Sequence, residues 1–206
     1  MKSPEKIWNV PNILTLSRLP LAVIIFYLIA IEAWLPCFAV FIVAMLTDAL
    51  DGWWARKYQQ FTAFGRTFDP LTDKVLLGGG FIFLIQVKDS GLYPWSVTII
   101  IVRELLITGI RGYMESFGYS FPADWFGKLK TILQSVVFGI ILFLQWLKTL
   151  SDWQSIMQYL FPLQGILIAL MLLATIGSGI QYVAQAVRLF RQNPDPSPKI
   201  EEKPRV

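Results

Sequence analysis

Six apolar stretches follow one another along the chain, each of about 17 to 25 residues, the length that crosses a bilayer as a helix. Short polar breaks separate them. The runs are continuous and do not alternate between apolar and polar, which argues against a membrane β-barrel. The pattern predicts spans over residues 12–33, 35–55, 70–87, 93–115, 125–147 and 160–187. The expected fold is therefore all-α. It is an integral membrane protein of six transmembrane helices, forming one domain over residues 1–190 and preceded by a short amphipathic interfacial helix, Ser3 to Val10. Residues 191–206, RQNPDPSPKIEEKPRV, are polar and proline-punctuated, and read as a disordered cytoplasmic tail.

Charge fixes the expected orientation, because loops rich in Lys and Arg stay in the cytoplasm. With both termini inside, the outer ends carry only Lys88 and Lys148 of the 18 basic residues. The eight tryptophans fall near predicted span ends, as an aromatic belt requires: Trp8, Trp53, Trp54 and Trp125 inside, Trp34, Trp95, Trp146 and Trp153 outside. The first span is longer than the apolar core of a cleavable signal peptide and is expected to remain. Cys37 is the single cysteine, so no intrachain disulfide forms and no cysteine-rich metal site exists. The net charge of +4 suits anionic lipid headgroups. No nucleic-acid partner is expected. The N-terminus has no transit-peptide character, so a bacterial inner membrane is the expected location, with the active site facing the cytoplasm.

Chemistry concentrates in residues 48–73, DALDGWWARKYQQFTAFGRTFDPLTD. Asp48 and Asp51 are three apart near the inner end of the second predicted span, and Asp69 and Asp73 are four apart at the start of the third. Each pair therefore shares one helix face. Asp48 stands about 10 Å above the end of its helix and Asp73 about 6 Å inside the next, at 1.5 Å per residue, so all four share a depth. Taken alone, Asp69 before Pro70 reads as an ordinary helix start. Asp48 and Asp51, inside an apolar helix, have no such role. Four carboxylates packed near the membrane interior repel one another and require cations. Oxygen-only ligands suit Mg2+, Mn2+ or Ca2+, with room for two ions. Beside Asp51, the small residues Gly52 and Ala55 leave a groove for a base and ribose, and Arg56 offers a fork of hydrogen bonds to a phosphate. Gly65 is expected to let the loop turn back. Gly78, Gly79 and Gly80 lie inside the third span and are read as close helix packing.

The spacing Asp48 x2 Asp51 Gly52 x2 Ala55 Arg56 x8 Gly65 x3 Asp69 x3 Asp73 resembles the complete signature of the CDP-alcohol phosphatidyltransferase family. The resemblance implies Asp48, Asp51, Asp69 and Asp73 as ligands of two Mg2+ or Mn2+ ions. It implies a CDP site at Asp51, Gly52, Ala55, Arg56 and Gly65, and Asp73 as general base. Spacing alone does not separate the roles of Asp69 and Asp73. Thr72 stands where alanine is frequent in the family.

A second, basic cluster comprises Arg103, Arg111, Lys128 and Lys130, with Glu104 beside Arg103 but expected to point elsewhere. Arg103 lies mid-membrane, where an arginine needs a wet cavity or an acidic partner; a counter-ion role toward the aspartates is the alternative. Several cations around one cavity call for an anion such as a phosphate monoester. RELLITGIR, GKLKT and PNILTLSR, the last with Asn12, Thr15 and Arg18, are similar to the branch of the family that uses glycerol 3-phosphate. That likeness implies transfer of the phosphatidyl group from CDP-diacylglycerol to glycerol 3-phosphate, with Arg103, Arg111, Lys128 and Lys130 holding the acceptor phosphate. It also implies a homodimer in membrane lipid. Inositol phosphate or another polar alcohol is the alternative acceptor. A metal or proton-coupled transporter is the rival class, although the outer half offers only Glu32, Asp89 and Asp152 as acids. The chain has no histidine, which excludes a phosphohistidine route.

Overall fold

A computed structural model of the chain describes residues 9–60, 62–117, 125–150 and 154–192. Among these residues there are six helices and no strand: α1 (Val10–Ala30), α2 (Trp34–Tyr58), α3 (Ala63–Leu84), α4 (Pro94–Ser116), α5 (Trp125–Lys148) and α6 (Gln154–Gln192). Four of them, α1, α2, α5 and α6, are long and apolar enough to cross a membrane. The other two are less apolar because they carry the ionisable residues of the site: Asp69, Asp73 and Lys74 on α3, and Arg103, Glu104 and Arg111 on α4. Large apolar side chains face outward, with Val23, Leu105, Leu173 and Ile180 about two-thirds exposed, as a lipid-facing surface demands.

The helix ends follow local chemistry. At α1 the Asn9 side chain accepts from the Asn12 backbone N–H at 2.9 Å, and Pro11 occupies the first turn, where no donor is needed. The helix α2 stops at Gln59, whose left-handed φ of 51° turns the chain.

The start of α3 departs from expectation. Thr62, and not Asp69, is its N-cap, accepting from Gly65 N–H at 3.0 Å, and Pro70 lies inside the helix. The Asp-Pro pair imitated a helix start, while the true cap preceded a segment too polar to read as a span. Gly65 is consequently helical and makes no turn. Its need for glycine has another origin, because a Cβ there would stand 2.5 Å from Asn12 Oδ1. The helix α6 starts earlier and ends later than predicted, running through Pro162 to Gln192. It therefore takes in Arg191 and Gln192 from the predicted tail. The remainder of that tail lies outside the described residues, as does most of the expected interfacial helix, whose Val10 belongs to α1.

Packing puts α1 against α2 and α3, and α5 between α2, α3 and α6. The centre is an aromatic knot in which Phe138 of α5 meets Phe41 of α2 at 4.9 Å and Phe81 of α3 edge-on at 5.4 Å between ring centroids. Gly80 leaves room for the Phe138 ring and Gly79 for Phe26, as close packing requires, whereas Gly78 faces open space. At the opposite end from the acids, Lys148 pairs with Asp89 at 2.8 Å, and Gln164 donates to Ser90 O at 2.6 Å. The hydrogen bond from Lys148 holds the Asp89 carboxyl below the usual carboxylate range. These contacts tie α5 and α6 to the connection between α3 and α4, so the site is built on a closed frame.

Candidate active site

Three helices meet at one guanidinium. Arg18 of α1 is 1% exposed and pairs with all four aspartates, Asp48 and Asp51 from α2 and Asp69 and Asp73 from α3. Its Nη2 reaches Asp51 Oδ2 at 2.8 Å, and Thr15, one turn earlier, donates its hydroxyl to the same oxygen at 3.1 Å. Asp51 is buried, while the side chains of Asp48, Asp69 and Asp73 keep 39–46% exposure. Oxygens of Asp48, Asp51 and Asp69 lie within 4.8 Å of one another. The two acidic pairs therefore do converge from antiparallel helices, on the periodicity that their spacing dictates.

Arg18 is the residue that sequence reasoning left at the margin. The signal was present: Asn12, Thr15 and Arg18 recur every three residues within an apolar helix, and all three are buried. A polar stripe on one face of a span is costly unless that face meets other polar groups.

The acids stand between two hollows. On one side, a cavity of about 200 Å³ is lined by Asp51, Asp69, Gly52, Ala55, Arg56 and Gly65, and by Asn12 and Thr62. All five residues proposed for CDP lie in this wall. Thr62 donates to Asn12 Oδ1 at 3.0 Å, fixing the α1 and α3 sides of the cavity to each other. Thr72 is fully buried, and its hydroxyl is satisfied by Asp69 O at 2.9 Å, so it takes no part in either hollow.

On the other side, a cavity of about 330 Å³ opens between α3, α4 and α5. Asp73 lies in its wall with Lys74, Glu104, Lys130 and Gln134. Glu104 accepts from Lys130 and, at 3.2 Å, from Arg103. The expected separation of Arg103 and Glu104 is thus wrong: both side chains are long enough to bend toward each other despite being neighbours on the helix. Arg103 also donates to Ser178 Oγ at 3.0 Å, and Arg111 to Tyr182 OH at 2.7 Å, both on α6. Among the described residues Arg103 bonds to Glu104 and Ser178 and lies over the Tyr182 ring, 5.7 Å from its centroid, and is not paired with the aspartates. Neither arginine lines the cavity, although both are within electrostatic reach of the Lys74 ammonium. Lys128 is exposed at the start of α5. The structure therefore brings Lys130 to Asp73 and leaves the other three proposed cations outside the cavity wall. Lys74, which donates to Thr108, joins the basic side from a position that sequence reading passed over. Its place next to Asp73 was the available signal.

A sequence model of the family described as CDP-alcohol phosphatidyltransferase matches residues 8–189. Among similar proteins, one from Mycobacterium tuberculosis named "Probable phosphatidylglycerophosphate synthase" is 34% identical over 199 residues, covering 89% of this chain and 84% of that relative. A protein of Rickettsia typhi named CDP-diacylglycerol--glycerol-3-phosphate 3-phosphatidyltransferase is 35% identical, covering 65% of this chain and 76% of its own. A protein of Pectobacterium atrosepticum with that same name is 34% identical, over 66% of this chain and 77% of the relative.

Proposed function

Since the chain belongs to the CDP-alcohol phosphatidyltransferase family, and so is a multi-pass membrane transferase of phospholipid biosynthesis, we propose that it moves the phosphatidyl group of CDP-diacylglycerol to glycerol 3-phosphate, releasing CMP. The observation that carries this reading is the acidic cluster standing between two cavities of unlike character. The wall with Gly52, Ala55 and Arg56 suits the nucleotide. The wall with Asp73, Lys74 and Lys130 suits a hydroxyl attached to a phosphate. All six helices cross the membrane in this proposal, with both termini and the site on the cytoplasmic side, in a bacterial inner membrane.

The donor set fits a divalent cation, because three carboxylates with oxygens this close, and no histidine or cysteine in the group, match Mg2+ or Mn2+. Asp48, Asp51 and Asp69, with Asp73 beside them, are the residues that would hold it. Bound there, such an ion supplies charge neutralisation for a diphosphate. Arg18 occupies the same carboxylates, so ion and guanidinium compete for them.

The chain's own groups supply the rest. Arg56 and the small residues beside it seat the nucleotide and direct its diphosphate at the acids. Asp73, on the acceptor side, takes the proton from the attacking hydroxyl. Asp69, which lines the nucleotide side, does not face the acceptor, and this favours Asp73 as base. Lys130 and Lys74 hold the acceptor phosphate and so orient its hydroxyl, while Arg103, Arg111 and Lys128 add positive potential around the cavity. A single in-line displacement results, with CMP departing on the side opposite to the incoming oxygen.

Detergent-solubilised protein should release CMP only when CDP-diacylglycerol, glycerol 3-phosphate and a divalent ion are all present, and chelation should stop release. Faster release with inositol phosphate would reassign the acceptor. Among the cations, Lys130→Ala should raise the acceptor KM about tenfold or more, the loss of one charge-assisted contact. Arg111→Ala, removing a group outside the cavity wall, should raise it less. The opposite ranking in steady-state kinetics would move the phosphate site toward α6.

A further inference from the structure

The larger cavity holds one polar group that neither the reaction as described nor any neighbour among the described residues engages. Gln134 lies on α5 one turn beyond Lys130, is 3% exposed and contributes to the cavity wall. Its amide Nε2 is buried and donates to nothing among the described residues. The other wall donors are engaged: Lys130 with Glu104, Lys74 with Thr108, and the Thr131 hydroxyl with Gly127 O at 3.1 Å. A buried amide without a partner, on a side chain of the cavity wall, is uncommon in a folded protein and points to a ligand that supplies the acceptor. Opposite it on α3, Gly78 leaves the hollow open, since a Cβ there would meet nothing within 4 Å.

Elimination among the groups of the wall assigns that ligand atom. Lys130 and Gln134 share a face of α5, about 6 Å apart along the axis at 1.5 Å per residue, so a three-carbon phosphate held at Lys130 has its carbon chain within reach of Gln134. A phosphate dianion goes to the ammonium groups of Lys130 and Lys74, which outcompete a neutral amide for it. The terminal hydroxyl goes to Asp73. One hydroxyl of the acceptor then remains, and one unengaged donor of the wall.

We infer that Gln134 is a specificity-determining residue whose amide donates to the middle hydroxyl of glycerol 3-phosphate. The inference rests on the acceptor reading above. It accounts for how a site built around phosphate-binding cations distinguishes a triol phosphate from simpler hydroxyalkyl phosphates. A site that hydrogen-bonds a substrate hydroxyl discriminates against the analogue without it, because its own polar group is then left unpaired.

The test compares glycerol 3-phosphate with 3-hydroxypropyl phosphate, which has the same length and lacks only the middle hydroxyl. Full-length protein in detergent is assayed for CMP release as wild type, Gln134→Leu and Gln134→Met. The wild type should prefer glycerol 3-phosphate by about ten- to a hundredfold in kcat/KM. Each variant should lose that preference by falling on glycerol 3-phosphate while staying within about twofold of wild type on the analogue. A variant that falls equally on both acceptors has lost packing or phosphate binding, and overturns the inference. A variant that keeps the wild-type preference also overturns it. A wild type that uses both acceptors equally well overturns it without any variant, whether or not the substitutions fold. A wild type that turns over neither acceptor overturns the acceptor reading itself, and the role of Gln134 falls with it.

Discussion

Asp73→Asn is expected to lower CMP release about a thousandfold or more while leaving the protein folded. The side chain sits in the wall of the acceptor cavity and touches Arg18. Asparagine keeps its volume and a carbonyl oxygen for the guanidinium, but accepts no proton at neutral pH. A positioned general base contributes about a hundred- to ten-thousandfold, and Asp73 also belongs to the acidic cluster, which places the loss in the upper part of that range. The fold should survive because four carboxylates surround a single arginine, and removing one negative charge relieves repulsion among the remainder. Asp51→Asn should be equally inactive for a different reason, loss of the most buried oxygen of the cluster. Asp69→Asn separates the roles: its effect should be partly recovered by raising the divalent-ion concentration, whereas that of Asp73→Asn should not. Rates of CMP release, with thermal unfolding followed by tryptophan fluorescence, decide the matter. An Asp73→Asn protein with wild-type turnover would remove the base from the mechanism.

Arg18→Ala should have the largest effect on stability. Among the described residues it deletes the one basic side chain paired with all four acids and leaves Asp51 buried without a charge partner. Breaking a buried ion pair by removing one member costs about 3 to 5 kcal/mol. The low end applies here, since the other three carboxylates keep 39–46% of their side chains exposed. For a chain of this length about 3 kcal/mol corresponds to roughly 6 to 12 °C in the unfolding midpoint. Magnesium or manganese should restore most of the loss in the variant and shift the wild type less, because in the wild type the ion must displace a guanidinium already in place. Unfolding scans with and without the ion measure this directly. A variant that melts with the wild type and ignores the ion would show that Arg18 is no counter-ion.

The acids were legible in the sequence because charge inside an apolar run cannot be explained by solvent, and because spacings of three and four residues determine a shared face whatever surrounds them. The number and rough positions of the helices were legible for the same reason that spans are: length and continuity of the apolar runs. Boundaries were less so. Pro70 after Asp69 imitates a helix start, and the polar turn that precedes it conceals the cap at Thr62. Partners were the least legible. Nothing in local sequence says that Arg18 would reach across to residues 30 to 55 positions later, or that Arg103 would bond to Ser178 and Arg111 to Tyr182 instead of lining the cavity. Such contacts depend on which helices become neighbours. Gln134 needed coordinates for another reason: an amide in a span usually bridges helices, and only the geometry shows that this one does not.

Among the described residues, every member of the ionic knot at Arg18 lies on α1, α2 or α3. During synthesis the four acids of α2 and α3 therefore emerge after α1. The cation that balances them has by then already been synthesised, on the helix that precedes them. Birth order and charge balance coincide, and α1, α2 and α3 can hold one another through these ion pairs before α4 and α5 complete the larger cavity.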